Sequence, residues 1–265
     1  MSAEISPDSP ADDPADGPAD EPERAPSDLE IRLREAGSEE LLALVREHVA
    51  SLEAQSARGV LRNPYVTVEI VELIAGQPRL VSFYEVRREL AVCPRASEAL
   101  ALRMIPGLYW RDLVALGADT RLHPRLRRAA EQSLIPRLAS LAVGEKISIA
   151  RRASAGLLAQ LRHDPSPRVI AALLDNPRLT EDILAPVAHS AATPGPVLAL
   201  IAADRRWGAR YALQAALSRN PGTPLSTSLR LLPSLRKAEL KAVATDPRVP
   251  EPVRGRARVL LGEAP

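Results

Sequence analysis

The chain has 265 residues, and because 46% of them are hydrophobic it can bury a substantial core. Only 3% of the residues are aromatic, and the apolar content consists mostly of Ala, Leu and Val. Ala and Leu favour helices, whereas β-sheets favour aromatic and β-branched residues. The composition therefore predicts an all-helical protein with a nearly balanced formal net charge of +2.

Several sequence features indicate in which cellular compartment the protein is located. The single cysteine, Cys93, excludes an internal disulfide and any multi-cysteine metal site, which is typical of a reducing cytoplasm. The N-terminus has neither the basic segment nor the apolar segment of a signal peptide, and no apolar run approaches the ~20 residues that span a bilayer. We predict a cytoplasmic protein without membrane insertion. Arginine greatly outnumbers lysine, which is typical of high-GC bacterial genomes, so individual arginines need not be functional.

Residues 1–28 differ from the rest of the chain. They contain nine acidic side chains, six prolines and one basic residue, Arg24. Such a segment buries too little apolar surface to offset the entropy of ordering. We predict a disordered acidic tail of net charge −8, which leaves a net charge of about +10 on residues 29–265.

After the tail, prolines punctuate the chain at intervals that suit short helices. A small residue followed by proline marks helix ends, since the residue before proline is disfavoured in the α conformation. These pairs are Asn63-Pro64, Cys93-Pro94, Asn176-Pro177 and Asn220-Pro221. Three further pairs predict an N-cap residue followed by proline at the first helical position: Ser166-Pro167, Thr193-Pro194 and Thr223-Pro224.

The chain also contains an internal repeat. Without a gap, residues 84–134 match residues 211–261 at a shift of 127, with Tyr84/Tyr211 and Pro94/Pro221 among the identities. Residues 63–75 match residues 176–188 at a shift of 113, so the second copy carries fourteen extra residues within about 189–210, which we expect to form a loop. The predicted organisation is N-terminal capping helices 29–62, repeat module 1 at 63–134, connecting helices 135–175 and repeat module 2 at 176–262.

Two stretches carry a family resemblance, DPSPRVIAALLDNPRLTEDIL at 164–184 and RYALQAALSRNPGTPLSTSLRLLP at 210–233. They resemble HEAT-like repeats and leucine-rich-repeat variants, and the likeness covers roughly residues 55–262. The resemblance implies a right-handed α-solenoid of short stacked helices. One member of the variant group carries an iron–sulfur cluster in a cysteine-rich segment, but this chain has one cysteine, so no cofactor is expected. Leu225, Leu229 and Leu232 are predicted to face the stacking core.

Few residues suggest chemistry. Cys93 occupies the position that asparagine fills in the other punctuation pairs, and a structural role is favoured over a reactive thiol. The four histidines show no metal-ligand spacing, so no metal is expected. The pairs Asp119/Arg121 and Asp246/Arg248 recur with the repeat, which indicates turn-capping roles. Phosphate-loop and nucleophile motifs are lacking, and we predict that the protein is not an enzyme.

Two places depart from the needs of the repeat. Trp110 aligns with Lys237, so the stacking core does not require an indole there. Arg205, Arg206 and Trp207 lie in or beside the extra residues of module 2, followed by Arg210. Because Trp and Arg are enriched at interface hot spots, we predict that a partner contacts these residues. The alternative is that Trp207 packs under its own loop while Arg205 and Arg206 stay solvated. The candidate partner-binding residues are Trp110, Arg205, Arg206, Trp207 and Arg210.

These features favour a protein–protein interaction scaffold with a concave solenoid surface. The alternative is a nucleic-acid-binding protein that uses its basic body, as the HEAT-like alkylpurine DNA glycosylases do. Against this alternative, acidic residues are interspersed among the basic ones and aromatic residues for base stacking are scarce.

Overall fold

A computed structural model describes residues 27–263, which form eighteen α-helices and three short 3-10 helices without any strand in that range. The all-helical prediction is confirmed. The predicted tail lies outside the described residues except for Ser27 and Asp28. Ser27 is the N-cap of the first helix: its hydroxyl accepts the backbone N–H of Glu30, and the Glu30 carboxylate accepts the backbone N–H of Ser27. This reciprocal capping holds the start of α1 at the last two residues of the predicted tail.

The chain divides into two compact units, residues 1–112 and 113–265, so the division falls inside predicted module 1. The first unit contains seven helices: α1 Asp28–Glu35, α2 Ser38–His48, α3 Ala54–Arg62, α4 Val68–Ala75, α5 Pro78–Ser82, α6 Tyr84–Val92 and α7 Glu98–Met104. Helix α8, Trp110–Ala118, begins in this unit and ends in the next. Within the first unit α3 packs between α1 and α6, while α4 contacts α2 and α5. Each helix therefore buries its apolar side against neighbours that are close in the chain.

The second unit contains the end of α8 and ten further helices: α9 Pro124–Leu134, α10 Val143–Arg152, α11 Ala155–Leu161, α12 Pro167–Leu174, α13 Glu181–His189, α14 Gly195–Ala203, α15 Tyr211–Arg219, α16 Leu225–Leu231, α17 Lys237–Thr245 and α18 Glu251–Leu261. Helix α12 packs against α10, α11 and α14, and α15 packs against α13, α14, α16 and α17. The same neighbour-to-neighbour packing thus continues through this unit.

The helix boundaries follow the internal repeat. Helices α6, α7, α8 and α9 begin and end at positions that become those of α15, α16, α17 and α18 when 127 is added. The 3-10 helix Ile105–Gly107 corresponds in the same way to Leu232–Ser234. The sequence match is therefore also a match of local structure over five consecutive elements.

The extra residues of the second copy form a helix. They account for α14 and its flanks, where a loop was expected, and residues 204–210 follow as a turn. The correction has a physical reason: Val197, Leu198 and Ile201 recur at helical spacing and are at most 1% exposed, so this segment contributes to the core.

The punctuation pairs mark helix ends as predicted, with two corrections at helix starts. Ser166 is the N-cap of α12 and Pro167 follows at the first position. At the other two pairs the proline itself is the N-cap, because the threonine hydroxyl serves the preceding helix instead. Thr193 donates to the carbonyl of Val187 at 2.8 Å, and Thr223 donates to that of Leu217 at 2.7 Å.

The predicted leucine stripe is only partly buried. Leu232 is fully buried in the core of the last four helices, and Leu229 packs against that core. Leu225 is 45% exposed, because it is the first residue of α16 and lies beyond the edge of the packed helices.

Candidate interaction surface

Buried asparagines fasten turns to earlier helices. The side-chain amide of Asn176 donates to the carbonyl oxygens of Ala150 at 2.7 Å and Ala153 at 3.2 Å, and its Oδ1 accepts the backbone N–H of Arg178 at 2.7 Å. The residue is fully buried, and the two bonds that its amide donates lie away from water. The same arrangement recurs at Asn63 and Asn220. We refer to these three as the asparagine turns; Cys93, in the corresponding position, is a buried free thiol that ends α6.

Two aspartates form the same kind of turn at positions of the chain where the turn residue is aspartate instead of asparagine. Asp119 accepts the backbone N–H of Arg121 at 2.9 Å, and the Arg121 guanidinium donates to both carboxylate oxygens, which lowers the pKa of Asp119 to about 2. Asp246 makes the equivalent bonds with Arg248 and also accepts from Arg219 at 3.4 Å; these bonds hold the pKa of Asp246 well below its usual range. Both pairs thus have the structural role that the sequence indicated.

The turn after α14 contains three of the predicted contact residues. The Oδ1 of Asp204 accepts the backbone N–H groups of Arg206 at 2.8 Å and Trp207 at 2.7 Å. Trp207 is only 2% exposed, and its indole N–H donates to the carbonyl of Leu174, the last residue of α12, at 3.1 Å. This burial agrees with the alternative that Trp207 packs under its own loop, and partner binding through the indole stays a prediction that the burial does not favour.

Close backbone packing holds this turn in place. A Cβ added at Gly208 would lie 2.5 Å from the carbonyl oxygen of Ala202 and 2.7 Å from that of Asp204, so only glycine fits there. The side-chain amide of Gln214 donates to the carbonyl of Gly208 at 2.8 Å. The turn therefore has little freedom, and the arginines on it project from a fixed backbone.

The predicted arginines lie on the surface. Arg205, Arg206 and Arg210 are all exposed. The Arg206 guanidinium lies 4.3 Å from the centroid of the Trp207 ring and donates to the carbonyl of Leu179 at 3.3 Å. Arg210 is the N-cap of α15. Partner binding through these three arginines stays a prediction.

Trp110 does not belong to this turn. It is the first residue of α8, in the first unit, and only 8% of it is exposed. The guanidinium of Arg111 lies 5.4 Å from the centroid of the indole. As with Trp207, the ring contributes mainly to the core. Little of it is exposed to contact a partner, so its burial does not favour the predicted role in binding.

A polar cluster in the first unit surrounds Tyr84. Its hydroxyl accepts the backbone N–H of Tyr109 at 3.2 Å and donates to the Asp112 carboxylate, which also receives Nε of Arg88 at 2.7 Å. The Tyr84 and Tyr109 rings stack with their centroids 4.0 Å apart. Burial, together with the bond to Asp112, raises the pKa of Tyr84. The hydroxyl of Tyr84 thus helps to hold the start of α8.

Sequence reasoning missed three arginines that share the surface of the Asp204 turn. Arg178 lies two residues after Asn176 and donates to the carbonyl of Ala118 at 3.4 Å. Arg151 and Arg152 end α10, between the two carbonyls that accept from Asn176. All three are exposed. The available signal for Arg178 was the recurrence of arginine two residues after a turn-forming position, as in Arg95, Arg121, Arg206 and Arg248. Arg151 and Arg152 lack this signal.

Charge is unevenly divided between the units. Residues 1–112 have 12 basic and 21 acidic side chains, a formal net charge of −9, and residues 113–265 have 23 basic and 12 acidic side chains, a net charge of +11. The excess of positive charge that the sequence placed on the folded body thus resides in the second unit.

Within residues 27–263, no group of three or more His, Cys, Asp or Glu side chains is arranged to hold a metal ion. None of the described helices is long and apolar enough to cross a membrane. No protein-family model, curated protein or solved structure matches this chain.

Proposed function

We propose that the protein is a non-catalytic scaffold that binds a partner protein through the exposed surface of stacked helical repeats. In this proposal each compact unit is a stretch of right-handed α-solenoid of the HEAT-like or leucine-rich-repeat-variant kind. Such repeats bury a continuous core through contacts with their neighbours and leave one surface for binding.

A single observation carries the proposal: the repeated hydrogen bonds are kept while the exposed side chains change. The hydroxyl of Tyr84 accepts the backbone N–H at the start of α8, and the hydroxyl of Tyr211 accepts that of Arg236 at the start of α17, at 3.0 Å. Val92 and its counterpart Arg219 are both exposed and differ in charge at the same position of the repeat. Retained structural bonds beneath a varied surface are what a repeat protein needs to recognise a partner.

A second pair of residues supports the same interpretation. Arg87 donates to the carbonyls of Val81 and Gly107. Its counterpart Gln214 donates to Gly208, which corresponds to Val81, and its Oε1 accepts from Ser234, which corresponds to Gly107. Two different side chains thus join the same two segments, so the repeat conserves the connection and not the residue.

The experiment that tests the proposal is affinity purification of the full chain from its own cells, with nuclease treatment before elution. We expect a discrete protein to remain bound in stoichiometric amount after the nuclease. A matched purification with charge-reversed Arg205→Glu and Arg210→Glu identifies partners held by the exposed surface. Recovery of the bare chain alone in both cases contradicts the scaffold function.

Nucleic-acid binding is the second candidate, and the net charge of +11 on the second unit favours it. Phosphate contacts give a logarithmic affinity that falls linearly with the logarithm of salt concentration. A titration with duplex DNA over a salt series tests it directly. A steep linear loss of affinity, with recovery of nucleic acid before nuclease treatment, would replace the scaffold by this alternative.

A further inference from the structure

Five exposed arginines of the second unit lie along adjoining turns, and we call them the arginine edge: Arg151, Arg152, Arg178, Arg205 and Arg206. We propose that the arginine edge binds an acidic, extended peptide segment of the partner protein. The inference rests on the proposed scaffold function and names the surface and the chemistry of the partner.

Hydrogen bonds bring these arginines together. Asn176 donates to the carbonyls of Ala150 and Ala153, which places the turn that contains Arg178 against the end of α10, where Arg151 and Arg152 lie. On its other side, the same turn offers the carbonyl of Leu179 to the guanidinium of Arg206 at 3.3 Å. The edge therefore runs continuously from the end of α10 through the Asn176 turn to the Asp204 turn.

The backbone under the edge is fixed. Asn176 is fully buried, Trp207 is 2% exposed, and a side chain at Gly208 would collide with the carbonyl of Ala202. A surface that is already ordered loses less entropy on binding than a mobile loop does. The backbone segments that carry the arginines are thus held in place by buried contacts.

The positive charge of the edge is not neutralised within the described chain. Arg151, Arg152 and Arg205 have no carboxylate of residues 27–263 within ion-pair distance. Arg178 and Arg206 each use one terminal nitrogen on a backbone carbonyl, which carries no charge to cancel theirs. The acids nearest to Arg178 in the sequence are Asp175 and Glu181. Asp204 is nearest to Arg205 and Arg206, and its Oδ1 already accepts two backbone N–H groups.

The chemistry favours carboxylates on a peptide over a phosphate backbone. A planar guanidinium binds a carboxylate through two parallel hydrogen bonds, and an extended chain can place acidic side chains opposite arginines while it avoids Asp175. DNA carries a negative charge every ~1.7 Å along its axis, so a duplex along the edge would place phosphates near the aspartates, which repel them. Single-stranded nucleic acid depends on aromatic stacking, yet Trp207 is buried in its turn and Tyr211 holds the N–H of Arg236.

The test measures binding of a fluorescein-labelled peptide of ten glutamates to the full chain by fluorescence anisotropy at physiological salt. The edge variant is Arg151→Gln, Arg152→Gln and Arg205→Gln, three side chains without contacts that hold the fold. The matched control is Arg230→Gln, Lys241→Gln and Arg256→Gln, which removes the same charge from exposed positions on α16, α17 and α18. We expect the edge variant to bind at least about tenfold more weakly, since charge-assisted bonds contribute more than distant charges, and the control to weaken about threefold or less.

Three results overturn the inference: absence of binding, equal weakening by both variants, and tighter binding of a 12-base-pair DNA duplex that is lost in the edge variant. The last would assign the edge to nucleic acid. The scaffold function fails on a different result, which is that the affinity purification retains no protein. If a partner is retained but the full chain does not bind the glutamate peptide, the scaffold proposal holds and the proposed role of the arginine edge is wrong.

Discussion

The two compact units use the same kinds of turn but differ in charge. Asn63 in the first unit and Asn176 in the second each bind two carbonyls of an earlier helix and one following N–H. Outside the predicted tail, residues 29–112 have 11 basic and 12 acidic side chains, a net charge of −1, whereas residues 113–265 have a net charge of +11. The buried polar bonds therefore determine how the helices join, and the exposed positions are free to differ in charge. Function is to be sought on those exposed positions.

The comparison also holds between the two copies of the repeat. Tyr84 and Tyr211 accept equivalent backbone N–H groups, but Tyr84 also donates to Asp112, whereas the guanidinium of Arg236 lies 4.8 Å from the Tyr211 ring centroid. One copy thus adds an anion around the hydroxyl and the other adds a cation over the ring. The difference allows the shared bond and the added groups to be tested separately.

The largest effect on the free energy of unfolding is expected at Trp207, which is part of the buried hydrogen-bonded structure and not of the exposed charged surface. Trp207→Ala removes a buried ring and its bond to Leu174, and we expect a loss of about 3–5 kcal/mol in the free energy of unfolding. Trp207→Phe keeps most of the apolar contact and loses about 1–2 kcal/mol. Urea denaturation followed by circular dichroism measures both. A Trp207→Ala variant of unchanged stability that fails to bind a partner would restore the surface role predicted from the sequence.

The asparagine turns come next. Asn176→Ala leaves the carbonyls of Ala150 and Ala153 and the N–H of Arg178 without their partner, at a cost of about 2–4 kcal/mol. Cys93→Ala, in the corresponding position without such bonds, serves as the control and loses about 1 kcal/mol or less. If the two substitutions cost the same in thermal and urea unfolding, the turns do not depend on the asparagine amide.

A smaller effect separates the two tyrosines. Tyr84→Phe removes an acceptor from the N–H of Tyr109 and a donor from Asp112, and about 1–2 kcal/mol of stability is expected to be lost. Tyr211→Phe removes only the acceptor of Arg236, at about 1 kcal/mol. Equal losses in chemical denaturation would show that Asp112 adds nothing to the shared bond.

The smallest effect is the loss of stability at acid pH that we expect from Asp119 and Asp246. Because their arginine partners lower the pKa values of Asp119 and Asp246, these carboxylates stabilise the fold above the ordinary value of 3.8, and the stabilisation disappears as the pH falls through the folded pKa. Asp246→Asn keeps the turn and removes the charge, so we expect a lower melting temperature than wild type at pH 7 and convergence of the two below pH 3. Asp119→Asn should show a smaller difference, since the Asp119 side chain is 26% exposed and that of Asp246 is 7% exposed. A constant difference from pH 7 to pH 2 contradicts the ion-pair account.

The sequence predicted the helical class and the helix ends well, because proline and the residues before it act locally. It located the candidate arginines Arg205, Arg206 and Arg210 on the surface. It left the burial of Trp207 as one of two alternatives, because that burial depends on a carbonyl of α12 that lies 33 residues earlier. The arginine edge also escaped it, since Arg151 and Arg178 are brought together by Asn176, and that contact exists only in the folded chain.

The central claim is that the basic second unit receives an acidic partner along the turns of the arginine edge. Hydrogen exchange of the full chain, with and without a saturating peptide of ten glutamates, tests it residue by residue. The account predicts added protection at residues 150–153, 176–179 and 204–207 and unchanged exchange at residues 27–112. Protection spread evenly over the second unit, or located in the first, would contradict it.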